Sequence, residues 1–120
     1  MAGLSDTGGG ASPEPVAFKV IDAGEWADAV VAGHYQGSAV DRADGYIHLS
    51  TQAQLVETVR KHYAGRDNLL LLTVDLQRVG EAVRWEPSRG GALFPHIHGL
   101  LDVAAVREVR GLAVAADGAM

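Results

Sequence analysis

"LLLLTVD", residues 69–75, is the stretch on which the fold turns. It is apolar almost throughout, with no polar side to leave in water. A strand of that kind belongs at the centre of a sheet, covered on both faces. It is far too short to cross a membrane.

Reading backwards, "AGRDN" (64–68) closes a helix, with Gly65 as its C-cap. Thr51 followed by Gln54 is a capping box that opens the same helix, and Leu55, Val56, Val59 and Tyr63 mark its buried face. Immediately before it, "YIHLS" (46–50) reads as a strand. Alternation puts Ile47 and Leu49 on one face, the core, and Tyr46, His48 and Ser50 together on the other, in a cleft or in solvent. "HYQGSAVDRADG" (34–45) reads as a loop on its Gly, Asp and Ser content, with Asp41 and Asp44 as turn formers. "AFKVI" (17–21) is a strand, and Asp22 caps a following helix with Glu25 in the reciprocal position. Trp26, Ala29, Val30 and Gly33 share a helical face, and Gly33 ends it.

Reading forwards, a turn around Gly80 leads to "AVRWE" (82–86), a strand broken by Pro87. "PSRGG" is a loop. "LFPHIHG" (93–99) is extended, because the residue before a proline avoids the helical region, and Pro95 suits an edge or a strand start. "AAVREVRGLAV" (104–114) is a last strand anchored by Val106, Val109 and Leu112, although a short helix at 102–106 also fits. Helices early and strands late give an α+β class in a single domain over 17–114. Residues 1–16, rich in Gly, Ser, Ala and Pro, are expected to be a disordered tail, and 115–120 a loose one.

There is no Cys, so disulfides and Cys-based metal or redox sites are excluded, and a reducing, cytoplasmic location is expected. No signal segment or membrane span is read. With 10 Lys+Arg against 15 Asp+Glu, the net charge of −5 argues against broad nucleic-acid binding. A small-molecule or nucleotide ligand is the partner expected.

The chemistry-bearing residues lie mostly in two stretches. His96 and His98 share a face of an extended segment, as HxH metal sites do, but two ligands do not make a site. His48 or Glu86 would have to supply the third. Without that, the pair reads as walls of a polar cleft shared with His48, and a metal is not expected. His48, Ser50 and Thr51 stand at a helix N-terminus, which suits an anion or phosphate. Glu86 beside Trp85 can have a raised pKa and act as acid or base, and Arg89 can reach a phosphate or carboxylate. No Walker loop, GxGxxG, GxSxG or HExxH is present. Ser50 has no local base.

The ordered motifs "YIHLST", "ET" (57–58), "LLLLTVD", "RWEPSRGG" and "LFPHIHG" resemble the bacterial domain of unknown function 952, from about Phe18 to Leu112. His98 departs from that pattern, which has an aromatic, usually Tyr, at this place. The family is in turn similar to the ADP-ribosyltransferase fold, and most closely to its RNA 2′-phosphotransferase branch. The resemblance implies a mixed or antiparallel sheet with two main helices and NAD as cofactor. It implies a nicotinamide–ribose or phosphate pocket lined by His48, Ser50 and Thr51, with His96 at the strand that closes it. Tyr46, Trp85 or Phe94 would supply a stacking ring, and a carboxylate would stabilise the oxocarbenium-like state of glycosidic cleavage. Glu86 is the candidate by type. The set implied is His48, Glu86 and His96 for catalysis, with Tyr46, His48, Ser50, Thr51, Trp85 and Arg89 for binding. The alternatives are a non-catalytic small-molecule-binding module and a metal protein through His96 and His98.

Overall fold

The computed structural model describes residues 15–120. In chain order the elements are β1 (Val16–Asp22), α1 (Ala23–Ala32), β2 (His34–Tyr35), α2 (Ala39–Asp44), β3 (Ile47–His48) and α3 (Gln52–His62). There follow β4 (Leu69–Asp75), α4 (Leu76–Val79), β5 (Val83–Pro87), β6 (Leu93–Ile97), β7 (Leu101–Asp102) and β8 (Val106–Leu112). All strand pairs among them are antiparallel. The class is α+β, and α1 and α3 are the two long helices.

β4 is the middle strand of a sheet ordered β1–β4–β8. Its alternation divides two cores. Leu72 and Val74 face one, with Ala17 and Ile21 of β1, Trp26 and Ala29 of α1, and the apolar side of the second sheet. Leu69 and Leu71 face the other, with Val20 and with Leu55 and Val59 of α3. This is why the leucine run has no polar face: both sides are packed. β8 is an edge, and edges stay wet. Val109, expected as an anchor, is 42 % exposed.

The second sheet is ordered β3–β6–β5, with Ile47 opposite Ile97, His48 opposite His96 and Glu86 opposite Phe94. Pro95 therefore lies in the central strand and not at an edge. Its carbonyl accepts the Leu49 N–H at 3.0 Å. Its missing donor falls on that same side, so the reciprocal bond to Leu49 is not made, and the β3 ladder ends at His48. Pro87 does not break β5 but ends it, on an outer strand where a missing N–H costs little. The two sheets meet where Phe18 and Ser50 exchange backbone hydrogen bonds of 2.8 and 2.9 Å.

The helix ends follow local chemistry. The Thr51–Gln54 capping box opens α3 as expected. Asp22 caps α1 through the Gly24 N–H, but Glu25 does not reach back. Glu25 accepts the Tyr35 hydroxyl at 3.2 Å instead. Gly33 ends α1 in the left-handed region, φ 89°. α3 ends at Tyr63, and Gly65 beyond it donates to the Ala115 carbonyl at 2.9 Å. Val30 and Val56, expected on buried helical faces, are 51 % and 48 % exposed.

The segment 34–45, expected as loop, holds β2 and α2. A short helix, α4, replaces part of the turn before Gly80. The last strand is preceded by a 3-10 turn, Val103–Ala105, the alternative that the spacing allowed. Residues 115–120, expected to be loose, fold back: Ala115 donates to Ala119, and Val114 is buried and donates to Arg66. The expectation for the N-terminal tail lies outside the described residues, except that β1 begins at Val16. No helix among the described residues is long and apolar enough to cross a membrane.

Candidate functional site: an imidazole-rich sheet face beside a cleft

Alternation in the second sheet sorts its side chains. Ile47, Leu49 and Ile97 go to the core, and Trp85 packs against that core too. The opposite face carries Tyr46, His48, His96, His98 and Glu86. Their rings touch: Tyr46 stacks on His96 with centroids 4.1 Å apart, and lies 4.7 Å from His48 and 5.1 Å from His98. The stacked ring leaves His96 only 2 % exposed, although it stands on the polar side.

Glu86 and Trp85 are neighbours in sequence and point to opposite faces of β5. The expected pairing of that carboxylate with the indole is therefore absent. Glu86 Oε1 instead accepts from His96 Nδ1 and from His98 Nε2, both at 2.8 Å. An ionised carboxylate only accepts, so both ring nitrogens are N–H donors here. The bonds from His98 and His96 hold the Glu86 carboxyl below the ordinary glutamate value, the reverse of the expected rise.

A second hub was not expected from the sequence. Asp41, read as a turn former, is 2 % exposed. One of its oxygens accepts from Lys19 Nζ at 2.8 Å and from the Ser38 N–H at 2.9 Å. The other accepts from His48 Nδ1 at 2.6 Å and from the His48 N–H at 3.2 Å. Burial works against the Asp41 charge, but the bond from His48 and the Lys19 ammonium outweigh it. The carboxyl is held well below the usual carboxylate range. With Nδ1 committed to Asp41, His48 turns Nε2 to Asp44 Oδ2 at 2.9 Å. Asp44 is half exposed, so this outer contact opens to solvent while the inner one does not.

Two signals for this hub were in the sequence. Ser38 and Asp41 have capping-box spacing, and the structure forms that box at the start of α2. Lys19 shares its strand face with Ala17 and Ile21, and a cation on a core face requires a buried partner.

A cleft of about 910 Å³ opens between this face, β1 and α3. Tyr46, His48, Ser50 and His96 line it, as do Phe18 and Phe94. The hydroxyls at the helix start are spent within the fold, and the β5 residues are placed elsewhere. Thr51 spends its hydroxyl on the Gln54 N–H at 3.2 Å. Ser50 Oγ is 3.0 Å from Thr58 Oγ1, with no base beside it. Trp85 is on the core side, and Glu86 does not line the cleft. The expectation for the Arg89 side chain lies outside the described structure. Among the described residues no buried side-chain nitrogen or oxygen lacks a partner.

The chain is thus a small α+β protein whose two three-stranded antiparallel sheets meet at a cleft walled by histidines. It belongs to the family described as protein of unknown function (DUF952), which matches residues 20–109. The crystal structure of protein CC0527 from Caulobacter crescentus is similar, with 44 % identity over 87 % of this chain and 91 % of that one, at a TM-score of 0.82. The solution NMR structure of the same protein is 44 % identical over 88 % of this chain and 90 % of that one, with a TM-score of 0.77. A comparison with curated proteins finds no match.

Proposed function

We propose that the cleft binds a small molecule of the nucleotide class, with NAD as the first candidate. The observation that carries this reading is the convergence of Tyr46, His48 and His96 on one wall of the 910 Å³ space. Sites for small ligands run to roughly 300–1,000 Å³ and combine apolar walls with a few fixed polar groups. Tyr46, Phe18 and Phe94 offer aromatic surface for a planar base or nicotinamide ring. His48, held by Asp41, presents a fixed ring nitrogen to a ribose hydroxyl once Asp44 turns away. Two cations on the wall, Lys61 and Arg66, are shared with Glu57 at 3.1 Å and Asp22 at 3.8 Å. With those cations already paired, the wall does not suit a polyphosphate.

A non-catalytic binding module is the second reading. It is favoured by Glu86, which does not line the cleft and is committed to the His96 and His98 imidazoles, and so is not poised to stabilise a cationic transition state. A thermal-shift titration with NAD, run beside His48→Ala and Tyr46→Ala, tests binding. Ligand at about 100 times its dissociation constant stabilises by roughly 2.7 kcal/mol. A wild-type shift lost in both variants supports the site, and no shift at millimolar NAD rejects the nucleotide reading. Release of nicotinamide by the bound protein then separates ADP-ribosyl transfer from binding alone.

A further inference from the structure

We propose that Glu86, His96 and His98 form a site for a borderline divalent metal ion such as Zn²⁺, with one coordination position open to solvent. The HxH spacing alone was insufficient because it supplied two ligands. The fold supplies the third. Glu86 stands on β5 and pairs across to Phe94 of β6, which puts its carboxylate beside the two histidines that follow. One ligand atom from each of Glu86, His96 and His98 lies within 4.8 Å of the other two. Zinc bonds of about 2.0–2.2 Å to nitrogen and oxygen set tetrahedral ligand separations of roughly 3.3 Å. Rotation of the partly exposed His98 and Glu86 side chains would close the difference around a fixed His96.

The present hydrogen bonds already mark the point of convergence. Both ring nitrogens aim at one carboxylate oxygen at 2.8 Å. A metal replaces the two N–H bridges, and each neutral ring then carries its proton on the other nitrogen. Two imidazoles and one carboxylate suit zinc and its neighbours, whereas Mg²⁺ and Ca²⁺ take oxygen shells. Closed structural zinc sites use four protein ligands, and three leave a place for water. The exposure fits that form: His96 is locked under Tyr46, while His98 and Glu86 side chains are 29 % and 34 % exposed. Glu86 and His96 stand on adjacent strands of one sheet. His98 follows β6 directly with its N–H held by the Ala82 carbonyl at 2.8 Å, which fixes their spacing better than a free loop would. This site lies alongside the cleft and does not rest on the nucleotide reading.

The test uses the untagged, metal-stripped full chain without nucleotide, titrated with Zn²⁺ by calorimetry and with Co²⁺ by visible absorption. Saturable binding of one ion per chain, at micromolar affinity or tighter, is expected. Losing even an outer partner of a metal ligand costs about 10–100-fold in affinity. Glu86→Gln and His98→Ala should therefore each weaken binding at least about 100-fold and remove the Co²⁺ bands. His34→Ala, on β2 outside the cluster, should change neither. Glu86→Gln keeps the side-chain shape, so it decides the matter should His98→Ala fail to fold. No saturable binding at millimolar Zn²⁺, or binding that survives Glu86→Gln, overturns the site.

Discussion

Asp41 holds His48 by one carboxylate oxygen at 2.6 Å and Lys19 by the other at 2.8 Å. One buried side chain thereby fixes both a ring at the cleft wall and a cation on the core face of β1. Breaking a buried pair leaves the remaining charge uncompensated, which costs about 3–5 kcal/mol. Asp41→Asn should be destabilising by that order, because Lys19 stays 6 % exposed with a weaker partner. The double change Lys19→Met with Asp41→Asn removes both charges and should be milder than Asp41→Asn alone. Urea midpoints for the three proteins check this. Equal midpoints for the single and double variants would remove the buried charge as the cause.

The same carboxylate sets an acid limit. The folded pKa of Asp41 lies below its unfolded value, so its ionised form favours the fold. That contribution is complete above the unfolded carboxylate value, about 4, and is lost as pH falls towards the folded value. Asp75 shifts in the same direction. Burial opposes its charge, and the Arg78 N–H and Arg107 guanidinium overcome it. From these two groups, stability should be level from pH 7 to about 5 and fall below pH 4. The Lys19→Met, Asp41→Asn double variant should fall less steeply than wild type. Urea midpoints between neutral pH and pH 3 measure both slopes, and an unchanged slope in the variant would show that Asp41 does not set the limit.

Gly37 controls where Asp41 sits. Its φ is +104°, and a Cβ there would come 2.7 Å from the Asp41 Cβ. Gly33 also has positive φ, at +89°, but nothing lies within 4 Å of its would-be Cβ. A left-handed backbone costs a non-glycine residue roughly 1–2 kcal/mol. Gly33→Ala should lose about that much. Gly37→Ala should lose more and displace the His48 imidazole as well, visible as a change in its ring NMR signals. Equal losses, with His48 unmoved, would mean that α2 yields without cost.

What was legible in the sequence was what periodicity controls. The central place of 69–75, the two long helices, the Thr51–Gln54 box and the sorting of Ile47 and Leu49 from Tyr46 and His48 all follow from local alternation or capping. What was not legible depended on partners distant in sequence. Asp41 looked like a turn residue because Lys19 stands 22 residues away. Glu86 was assigned to Trp85, its neighbour in sequence, when its partners are 10 and 12 residues on, across a hairpin. Strand parity separates Glu86 from Trp85, and applying it to "RWE" as to "YIHLS" would have made that correction from the sequence alone.

The reading of the leucine run itself makes a prediction about where stability resides. Leu72 is 0 % exposed at the centre of the main core, while Val109, its register partner on the edge strand, is 42 % exposed. Truncating a buried Leu to Ala costs about 2–5 kcal/mol, the transfer of the lost atoms plus the cavity they leave. Substitutions at exposed positions stay within about ±0.5 kcal/mol. Leu72→Ala should therefore lower the urea midpoint strongly, and Val109→Ala should leave it nearly unchanged, although the two residues face each other across one ladder. A large loss at Val109 would mean that the outer face of β8 is covered by something beyond the chain described. A small loss at Leu72 would mean that the central strand is not packed as both cores require.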